Sequence, residues 1–336
     1  MKFIGCGGSK VESVDHFDLE ESSFHGQKDN CGSALSLKKV TDVRITHSSF
    51  NFNIHCSVQK DYESYYKKCV GHGGGVITAI QSNIVIDSST FKGNRAEVGG
   101  AIFGKLGSNI TINNSTFIKN QALCNISGVC RKCLGGVLNC ESGCTVRVHN
   151  SVFNNNSAYR NGGVFRLITG HIFITKSNFS LNIAGSDGGV LSADKKVVAI
   201  VYKCYFVNNT AYNGGGVMDG MDIAIKFSCS CFINNTARTG GALSVLSGLL
   251  IKQCHFISNF ARLGGGVYTQ SVITNNDTLK VIECMFANNT ASKRAGAIYT
   301  AVKYVNIDNS NFTYNKAVLG GVLYIQSEMV NINQSI

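Results

Sequence analysis

Residues 232–243 read FINNTARTGGAL, and close copies recur as FKGNRAEVGGAI from Phe91, FVNNTAYNGGGV from Phe206 and FTYNKAVLGGVL from Phe312. Anchored on its Phe, the pattern falls at 24, 50, 91, 117, 153, 179, 206, 232, 256, 286 and 312, with spacings of 26, 41, 26, 36, 26, 27, 26, 24, 30 and 26 residues. A fixed period of this length overrides the two-domain expectation set by 336 residues, and residues 1–336 read as one repeat unit.

The columns within the repeat define its local structure. Seven and five residues before each Phe stand two apolar columns, such as Ile84 and Ile86, Ile110 and Ile112, or Val146 and Val148. Their separation of two, and their β-branched character, predict a strand. Two residues before the Phe stands Ser in eight repeats and Cys in three, namely Cys204, Cys254 and Cys284. The step of three between these columns breaks the strand period, so a bend must separate two strands. Three residues after the Phe comes a polar amide, Asn in ten repeats and Gln27 in the first, including Asn94, Asn120, Asn156, Asn182, Asn209, Asn235, Asn259, Asn289 and Asn315. The fifth position is Ala in the last nine repeats; Gly-Gly or a near relative and an apolar pair follow.

Each unit therefore reads as three short strands joined by bends. Such a unit cannot bury its apolar side alone, but it can when stacked coil on coil. The expectation is an all-β, right-handed parallel β-helix of about 11 coils of ~26 residues, with a Phe stack and an Ile/Val stack inside and an Asn ladder at a turn. At about 4.8 Å per coil the rod would be on the order of 50 Å long.

The F-x-x-N motif followed by G-G-A-[ILV] resembles the repeat of the chlamydial polymorphic outer-membrane proteins and related right-handed β-helix surface proteins. Phe91/Asn94 with Gly99-Gly100-Ala101-Ile102, and Phe232/Asn235 with Gly240-Gly241-Ala242-Leu243, carry the resemblance most closely. Many other copies replace the Ala by Val. The resemblance implies a surface passenger that acts in adhesion; the C-terminal membrane barrel of that family has no counterpart segment in this sequence.

Composition fits this reading. Apolar residues make up 44% and charged residues 15%, while Pro and Trp are absent. The net charge of +11 points to an acidic partner, a protein or an acidic glycan at a cell surface, whereas no Lys/Arg run or nucleic-acid motif is present. Fourteen cysteines favour an oxidising, extracellular setting. N-x-S/T sequons at Asn109, Asn125, Asn178, Asn276 and Asn311 are candidate glycosylation sites, though an Asn-rich repeat also generates sequons by itself. The terminal VNINQSI places Val330, Ile332 and Ser335 in the columns of a twelfth unit, so the chain is expected to be a fragment that stops in mid-coil.

Two insertions, near 56–73 and 123–134, interrupt the repeat between its Ala position and its Gly-Gly pair. Both are expected to leave the same edge of the rod, about 10 Å apart along its axis. The first carries Tyr62, Tyr65, Tyr66, Lys67 and Lys68, the second Arg131 and Lys132, and these are the candidate binding residues. Cys56 and Cys69 are placed to close the first loop; Cys124, Cys130, Cys133, Cys140 and Cys144 cluster around the second as disulfide candidates. Cys130-x-x-Cys133 with Cys140 and Cys144 has in principle the makings of a Zn²⁺ site, but disulfides suit an oxidising setting better, and no metal or other cofactor is assigned. Cys204, Cys254 and Cys284 read as free, buried small residues, with a Cys254–Cys284 bridge between adjacent coils as the alternative.

A carbohydrate-active enzyme is the competing expectation, since such chemistry needs carboxylates on neighbouring coils. Aligned by repeat, Asp187, Asp194, Asp219 and Asp222 fall in different columns, and no stacked acid cluster emerges. Gly71-His72-Gly73 matches the G-H-G of polygalacturonase-type enzymes, but the N-x-D, D-D and R-x-K that accompany it there are missing, and the string reads as a loop entering the repeat's glycines. A purely structural spacer is the third expectation.

Overall fold

The computed structural model describes residues 2–4, 9–26, 28–29, 33–55, 73–123, 133–194, 196–271 and 277–335. These form strands and turns only, wound into a parallel β-solenoid whose three main sheets each contain 12 strands. One sheet carries the Ile/Val columns, the second the Phe column, and the third the apolar residues after the glycines. Each strand pairs in parallel with its equivalents one coil before and one coil after, as in Ile84↔Ile110 and Ile86↔Ile112, Phe91↔Phe117, and Ile77↔Ile102. The coil therefore has the three strands that the columns imply.

Two features extend that reading. Lys2–Ile4 pairs with Ser23–His25 and sets Phe3 in register with Phe24, so the solenoid begins one Phe strand earlier than the motif shows. The Ala column forms a short fourth strand of its own, two residues long in coils such as Arg95–Ala96, Gln121–Ala122 and Ser157–Ala158. At the other end Val330 and Ile332 lie in register with Val305 and Ile307, and Ser335 Oγ accepts the Ser310 N–H at 3.2 Å, as their columns require.

The bends have a common backbone cause. Every residue three before a Phe, from Glu21 to Asn309, sits in the left-handed region with φ between 44° and 54°. Every residue two after a Phe does the same, with φ between 54° and 64°. Asn and Gly tolerate this conformation best, which explains their frequency at these corners. The second glycine of each pair serves a different need. A Cβ on Gly241 would lie 2.1 Å from the Gly265 carbonyl oxygen of the next coil, so only glycine lets the backbones approach this closely.

Inside, the phenyl rings from Phe24 to Phe312 form one continuous stack with ring centroids 4.5 to 5.1 Å apart. The Ile/Val columns and the apolar residues after the glycines complete a single core. Its polar members are satisfied by neighbouring coils. The buried Ser column accepts the backbone N–H of the preceding coil and donates to the carbonyl two residues earlier in its own, as Ser115 Oγ does with Ser89 N (3.1 Å) and Asn113 O (2.6 Å).

Candidate functional site

The Asn column is a structural ladder. Asn120 Oδ1 accepts both the backbone N–H and the side-chain Nδ2 of Asn94, at 3.1 and 2.9 Å. Its own Nδ2 donates to Phe91 O and to Asn156 Oδ1, at 2.9 and 3.0 Å. The same pattern links Asn53 through Asn156, Asn182, Asn209, Asn235, Asn259 and Asn289 to Asn315. From Asn94 to Asn289 each of these buried side-chain amides has its oxygen and both Nδ2 hydrogens engaged, so they are closed to ligands. The same columns account for several sequons. In Asn155-Asn156-Ser157, Asn208-Asn209-Thr210, Asn234-Asn235-Thr236 and Asn288-Asn289-Thr290 the first Asn occupies a left-handed corner, the second is a ladder rung and the hydroxyl residue opens the next short strand or, at Thr236, an isolated bridge. Asn109, Asn178 and Asn311 are exposed; Asn125 and Asn276 lie outside the described residues.

The candidate binding residues Tyr62, Tyr65, Tyr66, Lys67, Lys68, Arg131 and Lys132 also lie outside the described residues, as do His72, Cys56, Cys69, Cys124 and Cys130. Their points of departure are described. The first insertion follows Ile54–His55 and the second follows Gln121–Ala122 and Leu123. Both strands belong to the same short fourth sheet, where Arg95 of the intervening coil pairs with Ile54 on one side and Gln121 on the other. Of the cysteines near the second insertion, Cys140 and Cys144 are joined in a disulfide with their Cα atoms 6.1 Å apart, and Cys133 is disulfide-bonded as well. Cys140 and Cys144 thus leave the zinc reading without two of its four ligands. Cys204, Cys254 and Cys284 are free and buried in the Ser column. Burial pushes the thiols of Cys204 and Cys284 up to about 11 and that of Cys254 higher still. Two further free thiols, Cys229 and Cys231, are partly exposed.

The column alignment of the acids misses one association. On the outward side of the third sheet, Arg166, Ser192, Asp219 and Ser244 stand in register on successive coils. Arg166 reaches along this row, donating from Nη1 to Leu167 O (3.2 Å) and Ser192 O (3.4 Å) and from Nη2 to Asp194. Asp187 sits on the corner before the glycines, which folds over the same face. Its Oδ1 accepts the Gly214 N–H at 3.1 Å and its Oδ2 the Ser186 hydroxyl at 2.8 Å. Gly214 lies close to the row as well: a Cβ on it would come within 2.3 Å of Asp219 Oδ1, so a larger residue there would displace the Asp219 side chain.

Three carboxyls from three sequence columns therefore share one pocket with one guanidinium. Burial, the negative charge of Asp187 and that of Asp194 push the Asp219 carboxyl up to about 7, against the opposing pull of the Ser244 hydroxyl and Arg166. Asn139, in register with Arg166 one coil earlier, is fully buried with both amide atoms unpaired, and Arg166 Nε is unpaired too. The signal was legible in principle, because the residue three beyond the second glycine always points outward. Asp222 lies apart, in a shallow hollow with Lys196, Asp277 and Lys280.

Beyond this pocket the outward row continues as a stack of tyrosines. Tyr268, Tyr299 and Tyr324 lie 4.9 and 5.2 Å apart, with the Arg294 guanidinium 5.0 Å over the Tyr324 ring. The ring faces cover one another, so the stack acts as an external ladder that matches the Phe stack inside.

Comparison with known proteins agrees with the repeat. The Chlamydia polymorphic membrane protein repeat matches residues 88–105 and 283–301. None of the curated proteins matches the chain. Among solved structures, PfbA, a surface adhesin of Streptococcus pneumoniae, is 11% identical over 95% of this chain and 83% of its own, with a TM-score of 0.41, a likeness that carries no argument about function. The chain is a parallel β-solenoid whose sequence is similar to the Chlamydia polymorphic membrane protein repeat at two of its coils.

Proposed function

We propose that this chain is the rod of a cell-surface β-helical protein that binds its target, in an adhesive role, through one edge. One observation carries the reading: the strands that precede the two insertions, Ile54–His55 and Gln121–Ala122, belong to the same short fourth sheet, two coils apart. In a solenoid whose amides, hydroxyls and rings are consumed in stacking, interruptions are where new surface arises. The Tyr and Lys residues of the first insertion and Arg131 and Lys132 of the second suit an acidic target. The polymorphic-membrane-protein repeat supports a surface location. Replacing Tyr65, Tyr66, Lys67 and Lys68 with Ala is expected to leave the fold intact and to abolish cell or glycan binding. Undiminished binding would sink the reading.

A second reading rests on the carboxyl pocket. Asp219, with its carboxyl held near 7, and Asp187, which accepts the Gly214 N–H and the Ser186 hydroxyl, supply the pair of carboxyls that glycoside hydrolysis asks for as proton donor and base. Hydrolysis of a polysaccharide panel that is lost in both Asp219→Asn and Asp187→Asn would favour an enzyme over a binding rod.

A further inference from the structure

The edge that bears the insertions continues down the rod as a strip of unusual composition. Directly after the Ala column stand Leu123, Tyr159, Tyr212 and Arg238, all exposed, followed by the half-buried Arg262. Tyr159 and Tyr212 expose 66% and 74% of their surface, among the largest values for any aromatic residue in the described chain. Ile183 and Phe260, on the outward side of the neighbouring short strand, expose 48% and 46%. Across 157–162, 183–187, 210–214, 236–240 and 260–264 there are three Arg, no Lys, and a single acid, Asp187. Both oxygens of that acid are engaged, one by the Gly214 N–H and the other by the Ser186 hydroxyl.

None of these side chains serves the stack. Their column is not a uniform ladder: it holds Tyr159, Gly185, Tyr212 and Arg238 on successive coils, so neither tyrosine has a like neighbour to stack on. Large exposed rings cost solubility and contribute nothing to a rod that is already held by its Phe core. Enrichment in Tyr, Phe and Arg with depletion of Lys and Glu is the composition of protein-binding surfaces, in which aromatic anchors and Arg dominate the energy.

We propose that this strip, centred on Tyr159, Tyr212 and Arg238, docks a protein partner whose contact surface combines acidic with apolar side chains. This rests on the edge-binding reading above and extends it from the insertions to the body of the rod. A second copy of the chain does not fit, because apposed strips would set Arg against Arg. A sulfated or uronic glycan would satisfy the Arg groups but leaves Leu123, Ile183 and Phe260 without a role.

The test is selection from a displayed library of random peptides on the intact chain, followed by affinity measurement with the enriched peptides and, separately, with heparin. Three proteins are compared: the natural chain, the strip variant Tyr159→Ala/Tyr212→Ala/Arg238→Glu, and the Tyr65, Tyr66, Lys67 and Lys68 alanine variant. The three strip changes are at exposed sites, and circular dichroism checks that the coils remain in both variants. Peptides rich in Asp or Glu and in Leu or Phe are expected, bound about thirtyfold or more weakly by the strip variant. A neutral or basic consensus, no enrichment, or equal affinity for the strip variant would overturn the proposal. Heparin binding lost with the strip would overturn it too, by assigning the surface to a glycan. If only the insertion variant loses binding, the strip proposal fails while the edge reading stands.

Discussion

Asn235 receives two hydrogen bonds from Asn209 on a single oxygen: the backbone N–H at 3.0 Å and the side-chain Nδ2 at 3.1 Å both point to Asn235 Oδ1. Its own Nδ2 donates to Phe206 O and Asn259 Oδ1, each at 3.0 Å. One short amide thus joins three coils at a site closed to water. Asn235→Ala should cost about 3–5 kcal/mol, since it orphans groups on both neighbours. Asn235→Asp should be worse despite its shape, because an oxygen would replace the Nδ2 donor and face Phe206 O and Asn259 Oδ1. Urea unfolding midpoints of the two variants check the order; equal or reversed costs would contradict the ladder.

The two glycines of each pair should differ sharply in tolerance. The first occupies a left-handed corner, with φ 59° at Gly240, but Ala295 stands in the same column at φ 59°. The short strand of that coil carries a register shift between Ala291 and Arg294, a local adjustment that accompanies the alanine. Gly240→Ala should therefore cost about 1–2 kcal/mol. The second glycine is invariant from Gly75 to Gly321, and a Cβ on Gly241 would meet Gly265 O at 2.1 Å and Phe260 N and O at 2.8 Å. Those atoms are backbone and cannot rotate away. Gly241→Ala should cost more than about 4 kcal/mol or prevent folding. Denaturant midpoints of the pair decide, and comparable values would refute the close-approach argument.

Most of this architecture is legible in sequence because stacking repeats each requirement on every coil. The Phe, Asn, Ser and Gly-Gly columns each serve one geometric need, so its recurrence on most coils exposes it. What is not repeated is not legible in that way. Lys2–Ile4 escapes because residues 5–8 and 30–32 depart from the repeat, so Phe3 has no visible motif around it. The carboxyl pocket escapes because Asp187, Asp194 and Asp219 sit in three columns. Their meeting depends on the corner that carries Asp187 folding over an outward face, and on the length of the Arg166 side chain.

The free thiols should divide by burial. Cys204, Cys254 and Cys284 lie in the Ser column with thiols raised by burial, and the Cys204 sulfur stands 3.4 Å from Tyr202 O. Cys229 and Cys231 are partly exposed, and Cys231 is raised as well. Alkylation of the native protein followed by peptide mass mapping should label Cys229 and Cys231 within the time that leaves the other three untouched; those should react only after unfolding. Cys254→Ser should change stability by less than about 1 kcal/mol, because Ser is the ordinary occupant of that column. Rapid native labelling of Cys254 would contradict its placement.

Asp219 should make the rod less stable in mild alkali. In the unfolded chain its carboxyl ionises near 3.8, whereas in the fold burial, and after it the charges of Asp187 and Asp194, raise it to about 7. The folded state therefore holds a proton that the unfolded state has already released. Stability from this group is complete below about pH 4 and is lost progressively as pH rises through about 7. Asp219→Asn keeps the shape and removes the charge, so it should stabilise the protein by on the order of 2–4 kcal/mol at pH 8 and by little at pH 4. Asp187→Asn should act in the same direction but less, since it removes one of the charges that raise Asp219 and also disturbs the acceptor of the Gly214 N–H. Thermal unfolding of the three proteins from pH 4 to pH 8 gives the curves. A variant advantage that stays constant across that range would show that Asp219 does not titrate in the fold.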